Sequence, residues 1–203
     1  MTTYTAIRQG PRDRLEDAFL TWDGGAVVCD GLGGHNAGDV AASVAVRAFV
    51  EAIGGGSSLL VAGGDAAGAV GHAEGEDPSR RGMGTTLVAV RLVGEIAHVL
   101  WCGDSRAYLV SPWQSRATLL TADHGFRNIL HRWLPAEAHF DEVTPRVRSG
   151  DRVVLVTDGV SDVLTDEDIQ GAASSAEPAR ALVELALCRG TADNCTAVVL
   201  EAP

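Results

Sequence analysis

The chain has 203 residues, of which 46% are hydrophobic and 21% charged, and this composition excludes a disordered or fibrous protein. The formal net charge of −11 argues against a nucleic-acid-binding or anionic-membrane surface, and the absence of any lysine excludes a P-loop. The four cysteines lack CxxC spacing and the first ten residues contain no apolar signal core, so we expect free thiols in a reducing cytoplasm.

The first third of the chain predicts strands followed by a helix. Apolar and polar residues alternate in TYTAIRQG, and Asp23-Gly24 marks a tight turn between the two apolar runs of AFLTWDGGAVVCD. After Asn36, apolar residues recur at helical spacing up to the glycines at 54–56, which end the helix. Residues 57–82 predict a short helix followed by a glycine-rich loop.

From Gly84 onward the pattern is mainly that of β-strands. Short apolar or alternating runs occur in TTLVAVRLV, EIAHVLWCG, RAYLVS, DRVVLVTDG and NCTAVVLEA. Helices are predicted for DHGFRNILHRWL, TDEDIQGAA and EPARALVELALCRG. Because the helices fall in blocks between hairpin-linked strands, we predict an α+β fold with antiparallel sheets.

Aspartates at the ends of apolar strands are the most informative pattern. They are Asp30 after AVVC, Asp104 after HVLWCG, Asp158 after VVLVT and Asp193 before NCTAVVL. A Glu16-Asp17 pair opens a further strand. Each acid alone is more typical of a turn, but several carboxylates meeting at one sheet edge would repel one another unless cations neutralise them. An all-oxygen set suits Mg²⁺ or Mn²⁺. A phosphate cradle in GLGG is the weaker alternative, because GxGxxG is absent.

Seven motifs in order carry a resemblance to a known family: RDRLEDAF, VVCDGLGGH, GMGTT, WCGDSRAYLV, LTADHG, VVLVTDGVSDVLTDEDI and DNCTAVVL. Together they resemble the metal-dependent protein serine/threonine phosphatases of the PP2C family, bacterial type, over about residues 4 to 201. The resemblance implies a four-layer α-β-β-α sandwich of two antiparallel β-sheets flanked by helices. It also implies a single domain over residues 1–203, in which the flap segment at about 124–145 departs from the family pattern by being shortened.

The resemblance further implies a binuclear metal centre. Asp30 would bridge two Mg²⁺ or Mn²⁺ ions, the carbonyl of Gly31 would complete one site, and Asp158 and Asp193 would hold the other. Asp104 with Asp158 would match a third-ion site. A metal-bridging hydroxide would attack the phosphorus of phosphoserine or phosphothreonine, chemistry that needs no serine, cysteine or histidine nucleophile.

Other residues would support this centre. Glu16 and Asp17 would act through metal-bound water, and Arg12 would clamp the substrate phosphate, with Arg14 as the alternative clamp. Where some relatives carry a proposed proton-donating histidine, this chain has Leu32. The remaining candidate supports are His35, which we expect to cap or pack at the helix start, Thr85, which would form local hydrogen bonds near the acids, and Asn194.

Three functions are compatible with these features. The favoured one is a phosphatase acting on phosphorylated proteins, the products of a serine/threonine kinase. The alternatives are a catalytically weak phosphatase-like interaction module and a phosphohydrolase of small phosphate esters. We expect a monomer with neither a nucleic-acid nor a membrane partner, since no apolar run approaches the ~18 residues that a spanning helix needs.

Overall fold

The computed structural model describes residues 1–32, 37–126 and 129–202. In these ranges the strands are β1 Thr3–Arg8, β2 Ala18–Trp22, β3 Gly25–Cys29, β4 Gly31–Leu32, β5 Gly84–Thr85, β6 Leu87–Val93, β7 Ile96–Cys102, β8 Arg106–Val110, β9 Thr118–Leu119, β10 Gly125–Phe126, β11 Ile129–Leu130, β12 Asp141–Val143, β13 Arg152–Val156 and β14 Cys195–Glu201. The helices are α1 Gly38–Gly54, α2 Leu59–Glu76, α3 Asp158–Ser161, α4 Asp166–Ala173 and α5 Pro178–Cys188, with a 3₁₀ turn at Pro78–Arg80.

Most strands belong to two antiparallel sheets. One sheet has the order β1-β14-β13-β8-β9 and the other the order β12-β7-β6-β3-β2, while β4 pairs with β5 and β10 with β11. Helices α1 and α2 pack on each other and cover the second sheet, whereas α3, α4 and α5 cover the first. The layers therefore follow the order helices, sheet, sheet, helices.

Period-two alternation explains how the sheets are buried on both faces. In β13, Val153 and Leu155 point into the apolar layer between the sheets, and Val154 and Val156 point toward the helices. The same alternation recurs in β3 and β14. Strands buried on both sides read as nearly continuous apolar runs, and this is how these segments appear in the sequence.

The strand registers bring the acids to one edge of the sandwich. The start of β2 pairs with the end of β3, and the start of β6 pairs with the end of β7. In the other sheet, the end of β13 lies between the starts of β8 and β14. The residues at these strand ends, Asp17, Asp30, Asp104, Asp158 and Asp193, consequently lie at neighbouring positions.

Two local predictions need correction. The helix expected as a short one within residues 57–82 is the 18-residue α2, capped by Ser58, whose hydroxyl accepts a hydrogen bond from Val61 N at 3.3 Å. Its glycines are tolerated because the buried stripe of Ala62, Ala66 and Val70 packs on neighbouring elements. A stripe of small residues carries little hydrophobic signal, and the sequence therefore understates the helix.

The predicted helix in DHGFRNILHRWL is wrong in the described part of that segment. The backbone forms the β10–β11 pair, closed by a 2.8 Å bond from His131 N to His124 O. Further on, Leu134 pairs with Thr85 through two backbone hydrogen bonds of 2.9 and 3.0 Å. The local β10–β11 hairpin and the long-range pairing of Leu134 with Thr85 hold the chain extended against its local helical pattern. Across the described part of the chain, no helix is long and apolar enough to cross a membrane.

Candidate active site

Asp30 stands directly after the buried strand β3, and two threonines fix its main chain. Its N–H donates to Thr86 Oγ1 at 3.0 Å, and its carbonyl oxygen accepts from Thr86 N at 2.9 Å and from Thr85 Oγ1 at 2.8 Å. Thr86 Oγ1 also shares a 2.7 Å hydrogen bond with Ser105 Oγ. The backbone of Asp30 is thus clamped to the segment that precedes β6, which holds its carboxylate at the sheet edge.

Glycines beside Asp30 allow two backbone segments to touch. A Cβ atom on Gly31 would lie 2.3 Å from the carbonyl oxygen of Gly38 and 2.7 Å from that of Glu16. A Cβ atom on Gly38 would lie 2.9 Å from Glu16 Oε1. Only residues without a side chain fit here, so these glycines serve the close approach of the Glu16 segment to the Asp30 segment.

Asp158 is the first residue of α3 and lies close to Asp30. Burial raises the pKa of Asp158 above its ordinary value, while a hydrogen bond shared with Asp30 lowers it. Burial raises the pKa of Asp30 as well, and the charges of Asp17 and Asp158 raise it further. Two carboxyls that share a hydrogen bond and lie away from water repel each other strongly when both are ionised.

Asp17 is the least solvent-exposed carboxylate of the set. Its Oδ2 accepts hydrogen bonds from Thr157 Oγ1 at 3.0 Å and Thr196 Oγ1 at 2.6 Å. Its Oδ1 is buried and has no hydrogen-bond partner among the described residues. Burial raises the pKa of Asp17 to about 7, against the opposing effect of the two threonine hydroxyls.

Asp104 follows the turn at the end of β7. Burial and the negative charge of Asp158 raise the pKa of Asp104 to about 6. Two residues further on, Arg106 forms a bidentate ion pair with Asp123 at 2.9 and 2.7 Å, which makes Arg106 a partner within the fold. This pair forms one wall of the cleft into which Asp104 faces.

Arg12 and Asp193 form an ion pair at the mouth of the site. Arg12 Nε also donates to the carbonyl oxygen of Ala192 at 3.2 Å. The residue expected to clamp phosphate is therefore bonded to a residue expected to bind metal. In this ion pair, the guanidinium of Arg12 and the carboxylate of Asp193 neutralise each other's charge.

Asn194 holds the segment that carries Arg12 and Glu16. Its Nδ2 donates to the carbonyl oxygens of Gln9 at 2.6 Å and Arg14 at 2.9 Å, and its Oδ1 accepts from Glu16 N at 2.7 Å. Burial and the charge of Asp39 raise the pKa of the Glu16 carboxyl. A single buried amide thus fixes the loop between β1 and β2 at three points.

Some of these residues line a cleft of about 420 Å³, whereas Asp30, Gly31, Glu16 and Asp17 are not among its lining residues. Its lining residues are Arg12, Leu32, Asp104, Arg106, Asp123, Gly125, Ile129, Leu130, Asp158, Asp162 and Asp193. Four residues predicted from sequence therefore share this cleft: Arg12, Asp104, Asp158 and Asp193. Leu32 lines it too, and His35 lies outside the described residues.

The donor set fits hard divalent cations. The predicted side-chain ligands are carboxylates, and buried oxygens of Asp17 and Asp158 lack a hydrogen-bond partner within the described ranges. In those same ranges no three acidic, histidine or cysteine side chains are grouped closely enough to hold an ion by themselves, and Asp193 bonds Arg12 instead. Mg²⁺-type ions keep several waters, so a site with few protein ligands remains compatible with them.

Sequence reasoning missed the hydroxyls that hold the acids. Thr157 and Thr196 bond Asp17, yet both stand in apolar strand-end strings where a threonine is an ordinary β-former. The available signal was their position in the sequence. Thr157 directly precedes Asp158, and Thr196 stands two residues after Asn194. Asp162, which also lines the cleft, could have been found from its spacing of one helical turn after Asp158.

Comparisons with known proteins give the family. A family model described as Protein phosphatase 2C matches residues 11–185. The serine/threonine protein phosphatase PstP of Mycobacterium tuberculosis is 37% identical over 205 residues, covering 86% of this chain and 39% of that protein. The serine/threonine phosphatase stp of Listeria monocytogenes is 29% identical over 212 residues, covering 86% of this chain and 83% of that protein.

A solved structure agrees in architecture. The crystal structure of the PstP catalytic domain in complex with two manganese ions has a TM-score of 0.88 to this chain at 29% identity, covering 98% of this chain and 97% of that one. This chain belongs to the protein phosphatase 2C family. The resemblance noted in the sequence and the four-layer α+β sandwich are both confirmed. The chain spans 39% of the length of the Mycobacterium tuberculosis relative.

Proposed function

We propose that this chain is a Mg²⁺- or Mn²⁺-dependent phosphatase that removes phosphate from phosphoserine and phosphothreonine in proteins. The observation that carries the proposal is the convergence of Asp17, Asp30, Asp104 and Asp158 at one sheet edge, with the pKa of each carboxyl raised by burial. Such a cluster is costly to the fold unless cations neutralise it. The printed names of the relatives, which are serine/threonine phosphatases, support the same activity.

Two cations would be held by oxygen atoms of this chain. Asp30 would contact both, with the carbonyl of Gly31 on one side and Asp158 and Asp193 on the other. Asp104 with Asp158 would hold a third. When bound, divalent cations supply a nucleophile from water near neutral pH and neutralise charge on the phosphoryl group. The two manganese ions named for the PstP catalytic domain support this assignment.

The remaining residues would position water and substrate. Glu16 and Asp17 would accept hydrogen bonds from cation-held waters, and the hydroxyls of Thr157 and Thr196 fix Asp17 for this purpose. Arg12 would bind the substrate phosphate, because a guanidinium presents two parallel donors to phosphate oxygens. Its position on the rim of the cleft supports that role.

The test is phosphate release from a phosphothreonine peptide. We expect turnover with Mn²⁺, no turnover with a chelator, and a loss of at least about 100-fold in Asp158→Asn, since a metal ligand contributes several kcal/mol to the transition state. Asp162→Asn is the matched control, because Asp162 lines the same cleft but is not a proposed ligand. Turnover that persists in the chelator, or absence of turnover with every divalent cation, would refute the proposal.

Substrate class needs its own comparison. The shortened flap proposed at about 124–145 leaves room for small phosphate esters, so the phosphopeptide is compared with a sugar phosphate at equal concentration. A higher kcat/KM for the peptide supports a protein substrate.

We further propose that the substrate is the product of a serine/threonine kinase and that residues 1–203 act as one monomeric domain. The four free cysteines, Cys29, Cys102, Cys188 and Cys195, support a reducing cytoplasm.

A further inference from the structure

His124 is a buried histidine that the proposed chemistry does not use. It follows Asp123 and lies with 9% of its surface exposed. Its ring stacks on the indole of Trp101, with 5.9 Å between the ring centroids and an 18° angle between the planes. Both ring nitrogens have partners, and those partners belong to two different segments of the chain.

One partner is the turn that carries Asp104. Gly103 N donates to His124 Nδ1 at 3.2 Å, and His124 N donates to the carbonyl oxygen of Gly103 at 3.0 Å. Gly103 has φ +113°, and a Cβ atom there would lie 2.6 Å from Thr86 Cγ2. The N–H and the carbonyl oxygen of Gly103 are therefore both hydrogen-bonded to His124. The Cα of Gly103 packs closely against Thr86, which leaves no room for a side chain.

The other partner is Asp141. His124 Nε2 lies 3.0 Å from Asp141 Oδ2 and 3.4 Å from Nη1 of Arg132, which is itself 3.4 Å from Asp141 Oδ1. Asp141 is thus the shorter contact, and the register of β12 with β7 sets it directly opposite Trp101. Because Nδ1 accepts from a backbone N–H, it carries no proton, so in the neutral ring the proton is on Nε2 and points at the carboxylate. Asp141 thereby selects the tautomer that can receive the hydrogen bond from Gly103.

We propose that His124 is a positioning residue that directs the Asp104 carboxylate toward Asp158 by accepting the Gly103 N–H at Nδ1, with Asp141 fixing the tautomer. The consequence is a higher affinity for the cation held by Asp104. Residues that orient a ligand in this way alter metal affinity about 10- to 100-fold when they are replaced. The inference rests on the proposed role of Asp104 as a cation ligand.

Two isosteric variants separate this role from packing. In His124→Asn the amide oxygen can take the place of Nδ1 and accept from Gly103. In His124→Gln the side chain can reach Asp141 but offers no acceptor at the Nδ1 position. Both lose the stacking on Trp101, so a merely structural histidine would give similar losses in both.

The measurement is a calorimetric Mn²⁺ titration of the full chain for wild type, both His124 variants and Asp104→Asn, with thermal unfolding recorded in parallel. The Mn²⁺ sites whose affinity falls in Asp104→Asn are the class of sites that Asp104 holds. For that class we expect His124→Gln to bind about 10-fold more weakly than wild type. His124→Asn should stay within about threefold of wild type, although both variants melt at lower temperature.

Three results would overturn the inference: wild-type affinity in His124→Gln, equal weakening in both variants, or wild-type affinity in Asp104→Asn. Phosphate release by the wild-type protein is measured in the same preparations. If that activity requires Mn²⁺ while any of the three results is found, the inference fails and the proposed function stands. If the wild-type protein binds Mn²⁺ but has no activity, the proposed function fails whatever the His124 variants show.

Discussion

At the scale of single residues, the site depends on a few side chains that each make several hydrogen bonds. Asn194 is the clearest case, because its amide makes three bonds to the backbone of the loop between β1 and β2. The bonded groups are partly buried, so an unmade bond costs the desolvation of the group left behind. Asn194, which directly precedes β14, thus holds the loop that carries Arg12 and Glu16.

Asn194→Ala should destabilise the protein by about 2–3 kcal/mol, since it leaves Glu16 N and two carbonyl oxygens without their partner. Urea unfolding measures the loss. The control is Gln9→Ala, which removes an exposed hydrogen bond to the carbonyl of Arg12 in the same loop and should cost less than about 0.5 kcal/mol. Equal losses in the two variants would contradict the role given to Asn194.

Arg12→Ala should lower kcat/KM for a phosphopeptide by about 10- to 100-fold, mainly through KM, because a charge-assisted pair with phosphate is worth about 1.5–3 kcal/mol. Its Mn²⁺ affinity should not fall, since Arg12 competes with the cation for Asp193. Steady-state kinetics and a Mn²⁺ titration test both points. Arg14→Ala is the matched control, and a larger effect there would reassign the phosphate clamp to Arg14.

The sequence predicted those site residues that can be recognised from their own residue type and their place at the end of a strand. Acids at strand ends, such as Asp30 and Asp158, stand out because apolar strands seldom end in so many carboxylates. The ion pair of Arg12 with Asp193 joins residues 181 positions apart and leaves no local pattern. The partners of His124 were likewise not predictable, because they depend on the pairing of β12 with β7.

At the scale of elements, glycines have opposite meanings in different places. Gly31 is pressed between Gly38 and Glu16, whereas Gly64 of α2 has no atom within 4 Å of the position that a Cβ would take. The first glycine allows a close backbone approach, while the second only lowers helix propensity. Sequence alone does not separate the two cases, which is one reason why α2 was expected to be short.

Gly31→Ala should destabilise the protein by about 2 kcal/mol or more and weaken Mn²⁺ binding, because a Cβ atom 2.3 Å from a backbone oxygen forces the two segments apart. Gly64→Ala should instead stabilise it by about 0.5–1 kcal/mol and leave Mn²⁺ binding unchanged. Chemical denaturation and Mn²⁺ titration test the pair. Stabilisation by Gly31→Ala would argue against the close contact.

At the scale of the whole molecule, the acidic cluster sets a conflict between folding and cation binding. Burial raises the pKa of Asp17 to about 7 and that of Asp104 to about 6. In the unfolded chain these carboxyls ionise near pH 4, so between pH 4 and these values the folded protein holds protons that the unfolded chain has released. The layered fold, which the resemblance to the family implied, carries this cost at one edge.

Stability in a chelator should therefore fall as the pH rises, by about 1.4 kcal/mol per pH unit for each such group until the pH passes its folded-state pKa. Guanidinium unfolding at pH 5 and pH 8 measures the difference. Mn²⁺ should restore stability at pH 8, by about 2.7 kcal/mol at 100 times its Kd. Asp17→Asn should reduce the pH dependence, and greater stability at pH 8 than at pH 5 in the chelator would contradict the prediction.

The ion pair between Arg12 and Asp193 also bears on the order in which ligands bind. The pair occupies Arg12 Nη2, a donor that a phosphate would need, and Asp193 Oδ2, an oxygen that a cation would need. A cation that engages Asp193 releases Arg12. Binding should therefore be sequential, with the cation first and the phosphate second, and initial rates should follow a compulsory-order scheme in which product phosphate leaves before the ion.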